Sequence, residues 1–595
     1  MRRILDRARH YELEVLVSLL LALSAILALH RVPRFAFVMW DDDIELYRNP
    51  HVLPLSLEAL RWMFTDVAQT QRYIPLSWLN WCTLDRLFGM DPYAYHLENV
   101  LLHAANAALL FWLIRALLAL AERGEATGNG LRRNVAAALG ALLWALHPLR
   151  VEATAWVTQE RFTQSTFFFL IALIAYLHAV GGERPHVRRW AIVVAVVSSA
   201  ASVLSYGISA PIPLILVVLD VYPLRRLRAG PGGWWTRSAR GVFLEKALFA
   251  AAPALVGFVT LWARLHPVGI WAPALPLSAF GVFPRVMQAA YVVAYFVFRP
   301  LVPVHLSPVY TRLIEFDPLE PVFVLSAAFV IALTLLLFRV RRRRPALLAG
   351  WVCHLALMAP TLGFTEHPHY TSDRYSYLAG IVGSVLVAGG LATLWSMKTR
   401  AFVAACAAPV VVLCVALGIL SARQAMVWRD SESLFRHVLA ELGDHPYRAE
   451  IDFRLGLAYL DDGRRDEAFD AFRAALSLTP NHRGALANAA ALSLDRGKPE
   501  DAVRDFTAAL RGQENPFYRH GLGLALGAMG RYAEASRELR RAVEEAPALA
   551  AAHYDLGRVL LALGDAASAR RECDLLAALD PTLARRLLEQ LDAPR

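Results

Sequence analysis

Lysine is almost missing from this chain of 595 residues: Lys246, Lys398 and Lys498 are the only three, so arginine carries the positive charge. Charge of either sign is scarce, at 19% of residues, whereas hydrophobic residues make up 57%. Globular proteins use roughly 25% charged residues. The balance excludes a disordered chain and an ordinary soluble enzyme, and leaves an integral membrane protein. Cysteine is also sparse. Cys82, Cys353, Cys406, Cys414 and Cys573 form no CxxC or CxxH pair, so zinc and redox motifs lack support, and an odd count argues against a disulfide framework. The net charge of +10 does not form a continuous basic stripe. Its arginines gather in short clusters between apolar runs, including Arg132–Arg133, Arg188–Arg189 and Arg341–Arg344, as positive-inside loops do. Nucleic-acid binding is therefore excluded as a partner class.

What is abundant is apolar sequence long enough to cross a bilayer, which takes about 20 residues per helix. Such runs begin near Leu16, Val100, Val135, Gln164, Trp190, Ile208, Lys246, Pro321, Leu347, Ser376 and Ala401. The first follows four arginines with no cleavage site after it, so it is expected to be a retained anchor. With the N-terminus in the cytoplasm of an inner or plasma membrane, the arginine clusters all fall inside. Residues 285–304 break the alternation if they span, and are expected to be re-entrant, interfacial or half of a tight pair. The expected architecture is all-α: a polytopic bundle of about 11–12 spans over residues 1–425, with a long first outer loop at 40–98.

From about residue 426 onward, continuous apolar runs give way to amphipathic helical patterning. Gly463, Gly497, Gly530 and Gly564 lie 34, 33 and 34 residues apart, and Ala468, Ala502, Ala535 and Ala569 keep the same intervals. With Gly456, Tyr459, Phe472, Ala475 and Pro480, the first copy fits the tetratricopeptide pattern, in which small residues let two helices pack closely. About four copies over 445–590 predict a soluble α-solenoid occupying 426–595. Its expected role is to bind a protein acceptor or partner, since four copies suffice for a stacked core.

Polar residues beside apolar runs mark candidate function. The first loop opens with Trp40-Asp41-Asp42-Asp43, where adjacent carboxylates repel one another. They can provide a general base, hold a divalent metal ion, or form a solvated acidic turn. The second span carries His96, Asn99, His103 and Asn106 at steps of 3, 4 and 3, on one helical face. That face lines a cavity or makes interhelical hydrogen bonds. Two later loops read Gln159-Glu160-Arg161 and Asp373-Arg374-Tyr375. Arg161 and Arg374 are suited to forked contacts with phosphate oxygens, or to ion pairs with Glu160 and Asp373 beside them. The charge-based topology places all three loops on one outer face.

These residues give the chain a resemblance to the multi-spanning, tetratricopeptide-bearing O-mannosyltransferases of the GT-C glycosyltransferase class and their bacterial relatives. The likeness runs through Trp40-Asp41-Asp42 with Asn49-Pro50-His51, Pro75-Leu76-Ser77-Trp78, Tyr95-His96-Leu97 with Asn99 and His103, His147-Pro148 with Val151-Glu152 and Ala155-Trp156-Val157, Asp373-Arg374-Tyr375, and Trp428-Arg429-Asp430-Ser431. The resemblance implies transfer of a sugar, such as mannose, from a polyprenyl-phosphate donor to a hydroxyl, as on protein Ser or Thr, at the extracytoplasmic face. It implies that Asp41 and Asp42 supply the base. Arg161 and Arg374 would bind the donor phosphate, and Glu160, His96, Asn99, His103, Asp373 and Tyr375 would support them. No cofactor is required by this scheme, although a divalent metal at Asp41, Asp42 and Asp43 is compatible with it. Two departures stand out: the resemblance expects Glu-Arg-Lys-Asp where this chain has Glu160-Arg161-Phe162-Thr163, and Ser-Lys-Pro where it has Ser205-Tyr206-Gly207. The alternative they leave open is a non-catalytic membrane scaffold whose repeats organise envelope proteins.

Overall fold

The computed structural model describes residues 2–51, 55–67, 73–122, 130–181, 185–227, 233–266, 275–364, 369, 371–397 and 400–593. The described secondary structure is helical throughout. It falls into two compact units, Met1–Leu434 and Phe435–Arg595.

In the first unit each of the eleven apolar runs has become helix. Among the described residues, eight are long and apolar enough to cross a membrane, beginning with Tyr11–Arg34, Pro92–Ala121 and Val157–Gly181. A ninth counts if Gly130–Ala145 and Pro148–Ala155, bent by 61°, form one broken span. Gly207–Val221 and Pro345–Thr361 are shorter. At about 1.5 Å per residue neither reaches the roughly 30 Å of a hydrocarbon core. Each follows a polar or proline-marked break that sequence hydropathy smooths over. Residues 285–304 form the helix Val282–Phe298 and a short 3-10 turn, Arg299–Leu301. Gln288 near its start donates to the Gly363 carbonyl at 2.9 Å. His147 meets the Pro300 carbonyl, just past the helix's end, at 3.0 Å. The helix is thus tied to the segment after Thr361 and to the bend between Gly130–Ala145 and Pro148–Ala155.

The bundle is held by buried apolar packing, in which Phe111, Ile114, Phe169, Tyr176 and Leu216 are at most 1% exposed. Polar side chains add links between helices. His103 Nε2 donates to the Ala145 carbonyl at 3.0 Å, which leaves Nδ1 to accept from the Tyr377 hydroxyl at 2.7 Å. Asn99 Oδ1 accepts from the Thr163 hydroxyl at 2.6 Å, and Asn106 donates to the Thr163 carbonyl at 2.8 Å.

The second unit repeats a two-helix motif: Arg448–Asp461 with Arg465–Leu478, Arg483–Asp495 with Pro499–Ala509, Pro516–Ala528 with Tyr532–Glu545, and Ala550–Ala562 with Ala566–Leu579. The helix Pro581–Asp592 follows. Gly463, Gly497, Gly530 and Gly564 sit in the turn of each pair at φ +73°, +70°, +73° and +82°. Side-chain-bearing residues avoid this left-handed region, which explains the glycine period. At Gly456 a Cβ would lie 2.5 Å from the Phe472 ring, so a small residue is needed where the paired helices touch.

Candidate functional site

Asp42 closes the first loop onto the second. It immediately precedes the short helical turn Asp43–Tyr47 and is 0% exposed. Its Oδ2 accepts from the Val38 N–H at 3.0 Å and its Oδ1 from the Thr158 N–H at 3.1 Å. Burial pushes its pKa from the ordinary 3.8 up to about 7, against the pull of these backbone donors, and the Asp41 charge adds to the rise. Trp428-Arg429-Asp430-Ser431 secures the same loop from the other side. The Arg429 carbonyl accepts from Ala36 N at 3.0 Å, and the Ser431 hydroxyl accepts from Met39 N at 2.9 Å.

Arg161 lies three residues beyond Thr158 and is 1% exposed. It donates to Glu45 of the first loop at 2.6 Å and to Gln159 at 3.2 Å, and its guanidinium lies 5.4 Å from the Tyr206 ring centre. Its Nε has no hydrogen-bond partner. Arg374 pairs with Glu152 through side chain and backbone, the backbone N–H at 3.1 Å. Its guanidinium lies over Trp156 at 4.9 Å and over Tyr375 at 5.2 Å. Tyr375 beside it lies 6.4 Å from the Phe162 ring, which packs on Tyr206. Trp156 in turn stacks on Trp428 at 5.1 Å. Segments around residues 41, 158, 374 and 428 thus meet in one place, with Tyr206 under Arg161.

Neither arginine takes the carboxylate beside it. Glu45 and Glu152 hold them, whereas Asp373 accepts from the Tyr310 hydroxyl at 2.9 Å. Glu160 is 1% exposed, and neither of its oxygens makes a hydrogen bond. His96 donates through Nε2 to the Ala36 carbonyl at 3.3 Å, which ties it to the first loop. Asn99 and His103 are spent on the interhelical bonds above. Tyr375 stacks with His369 at 6.1 Å, while Glu366, His367, Pro368 and Tyr370 lie outside the described residues. Among the described residues no three His, Cys, Asp or Glu side chains gather as a metal would need. Asp42 is turned inward onto backbone amides, so the three adjacent aspartates do not form a cage.

The two departures from the resemblance meet in space. Phe162 packs on Tyr206 with ring centres 4.7 Å apart, and Tyr375 lies 6.4 Å beyond. Thr163 bonds Asn99 where the resemblance expects an acid. Glu45, Trp156 and Glu98 went unnoticed as site residues in the sequence. Only the four-residue step from Asp41 to Glu45 hinted at one of them.

Together these features define a polytopic helical membrane protein with a tetratricopeptide unit and a charged, aromatic-lined site at the helix ends. Tetratricopeptide repeat models match residues 453–482 and 520–584. Among characterised proteins, the chain is similar to Protein O-mannosyl-transferase TMTC1 of Homo sapiens, 24% identical over 498 residues, covering 76% of this chain and 54% of that protein. It is also similar to Protein O-mannosyl-transferase tmtc2 of Xenopus laevis, 30% identical over 252 residues, covering 40% of this chain and 28% of that protein. A third relative is Protein O-mannosyl-transferase Tmtc3 of Drosophila melanogaster, 27% identical over 207 residues, covering 31% of this chain and 22% of that protein. The chain spans about half the length of the first of these relatives and less of the others. Its homologues are thus tetratricopeptide-type O-mannosyl-transferases.

Proposed function

We propose that this chain is a glycosyltransferase that moves a sugar, such as mannose, from a polyprenyl-phosphate donor to a hydroxyl of a protein acceptor. The observation that carries the reading is the convergence of the three loops that bear Asp41–Asp42, Arg161 and Arg374: Asp42 accepts from Thr158 N–H, Arg161 lies three residues beyond Thr158, and Arg374 lies over Trp156, two residues before Thr158. The relatives' names agree in reaction class. In this scheme Asp41 and Asp42 supply the base that takes the acceptor proton as its oxygen attacks the anomeric carbon. The C–O bond to the phosphate breaks in the same displacement, which inverts the carbon, and the leaving phosphate keeps the electron pair. Arg374 and Arg161 stabilise that growing negative charge, exchanging part of their hold on Glu152 and Glu45 for phosphate oxygens. The site would face the extracytoplasmic side of an inner or plasma membrane, with the N-terminus inside and the repeats presenting the acceptor.

The test is transfer of labelled mannose from polyprenyl-phosphate mannose to peptide by the full chain in membranes. Asp41→Asn, Asp42→Asn and Arg374→Ala should each lower turnover by at least about 100-fold while the protein stays folded. No transfer from any polyprenyl-phosphate sugar by wild-type protein, with a cellular phenotype that survives Asp42→Asn, would favour the scaffold and end this reading.

A further inference from the structure

The arginine assigned to the donor phosphate is gripped through the residue before it. Arg374 sits in the short 3-10 turn Asp373–Tyr375, and Asp373 is 4% exposed. Both oxygens of the Asp373 carboxylate accept from the Tyr310 hydroxyl, at 3.0 and 2.9 Å. Tyr310 lies 63 residues earlier in the chain, at the end of the loop that follows the helix Val282–Phe298. Its hydroxyl in turn accepts from Arg299 Nη2 at 2.9 Å and from the Ser307 N–H at 3.1 Å. One phenol thus gives its proton to an acid while a cation and an amide take its lone pairs. That fills its bonding capacity and strengthens the outgoing bond. The loop is shaped to present it. Arg299 also donates to the His305 carbonyl at 2.7 Å, and His305 takes φ +51°, a conformation that side-chain-bearing residues rarely adopt. Gln424 donates to the next carbonyl, that of Leu306, at 3.2 Å.

Asp373 is anchored on its other side as well. The Ser376 hydroxyl donates to the Asp373 carbonyl at 2.7 Å and accepts from Arg150 at 3.0 Å. Arg374 itself is held by Glu152, through both its backbone N–H and its guanidinium. In the proposed transfer, Arg374 exchanges part of that hold for a phosphate oxygen. Glu152 then fixes the turn less firmly, and the bonds on Asp373 keep the guanidinium in place. A misplacement of about 1 Å at such a group can cost about 100-fold in rate. We propose that Tyr310 is a positioning residue for Arg374: its hydroxyl, loaded by Arg299, holds the Asp373–Tyr375 turn so that the arginine meets the donor phosphate at a fixed geometry. The inference deepens the proposed transfer reaction and rests on it for the phosphate.

The experiment uses the full chain in membranes with polyprenyl-phosphate mannose and peptide. It compares wild type, Tyr310→Phe, Arg374→Ala and the double variant, with thermal melts to report folding. Phenylalanine keeps the ring and removes only the hydroxyl. Tyr310→Phe should raise the donor KM about 10-fold and leave the peptide KM within about twofold. In the Arg374→Ala background the same change should move the donor KM by less than about twofold, because the side chain that Tyr310 positions is gone. Arg299→Gln leaves the phenol in place but unloads it. It should raise the donor KM about threefold with the same selectivity, and it decides the matter if Tyr310→Phe does not fold. An equal effect of Tyr310→Phe with and without Arg374, or a donor KM unchanged in Tyr310→Phe and in Arg299→Gln, overturns the proposal. If wild type transfers no lipid-phosphate sugar, the proposed function fails, and hydrogen exchange judges the positioning alone. The amides of residues 373–376 should then exchange at least about 10-fold faster in Tyr310→Phe than in wild type, with the repeat unit unaffected. Unchanged exchange at those amides overturns the inference.

Discussion

With Asp42 as the proposed base, its titration should move stability and activity in opposite directions. Raising its pKa from 3.8 to about 7 by burial costs the folded state roughly 4 kcal/mol when the carboxylate is charged. Between those two values the folded chain binds a proton that the unfolded chain lacks. This contribution to stability is full below about pH 4, shrinks as pH rises through about 7, and is gone above it. A base must be ionised to act, so transfer should rise with pH through the same point, reaching about a tenth of its plateau at one pH unit below it. The assay is kcat at saturating donor from pH 5.5 to 8.5, paired with melting temperature over the same range. Asp42→Asn should abolish both trends, because asparagine does not titrate. It also presents an N–H₂ to one of the two backbone donors now bound by carboxylate oxygens. A flat activity profile in the wild type, or an inflection near 7 that survives in Asp42→Asn, refutes the reasoning.

Three further outcomes follow from pairings and turns. Arg374→Ala strands Glu152, whose side chain is 5% exposed, and should cost about 3–5 kcal/mol, part of which returns in the double variant with Glu152→Ala. Additivity of the two melting effects within about 0.5 kcal/mol would deny the coupling. Gly497→Ala should destabilise the repeat unit by about 1 kcal/mol, since φ is +70° and nothing obstructs a Cβ; unfolding of the full chain followed by helical signal measures it, and no loss counts against the turn argument. In a cysteine-free background, Asp43→Cys should react with an impermeant maleimide from outside intact cells and Arg342→Cys should not. Equal labelling removes the assigned orientation.

How much of this could be read in advance depended on whether the signal was local. The repeat turns were legible because a left-handed turn every 33 or 34 residues forces glycine there, whatever the rest of the chain does. The apolar runs were legible as helices, but hydropathy averaging hid the breaks that shorten Gly207–Val221 and Pro345–Thr361. The meeting of the three loops could be anticipated only as a shared side, from the alternation of arginine clusters. Partner choice was not legible. Consecutive residues at a helix start point about 100° apart, so Glu160 turns away from Arg161's own partner and Asp373 from Arg374's. The pairings with Glu45 and Glu152 arise from packing between distant segments, which no local pattern encodes. For the same reason Asn99 and His103, on the same face as His96, proved to be interhelical links, while His96 alone reached the first loop.

The aromatic pair Phe162–Tyr206 sets the charge of the site. Where the resemblance expects two lysines, the structure has rings 4.7 Å apart, and Arg161 lies over one of them. What remains is two guanidiniums already paired with Glu45 and Glu152, with Asp41 and Asp42 on the neighbouring loop, so carboxyl groups outnumber cations there. In the proposed reaction an incoming phosphate would enter against net negative charge, and ionisation of Asp42 would strengthen that opposition. The donor KM should then rise with pH through about 7, while the turnover number rises as well, since the same proton loss creates the base. Restoring a cation by Tyr206→Lys should lower the donor KM by about 10-fold at pH 8, which corresponds to one attractive contact of roughly 1.4 kcal/mol at a partly screened site. Its effect should be smaller at pH 6, where protonated Asp42 opposes the donor less. Steady-state kinetics at the two pH values decide the matter. A donor KM indifferent both to pH and to the added lysine would mean that phosphate binds away from these carboxyls, and Arg161 would then lose its place in the donor site.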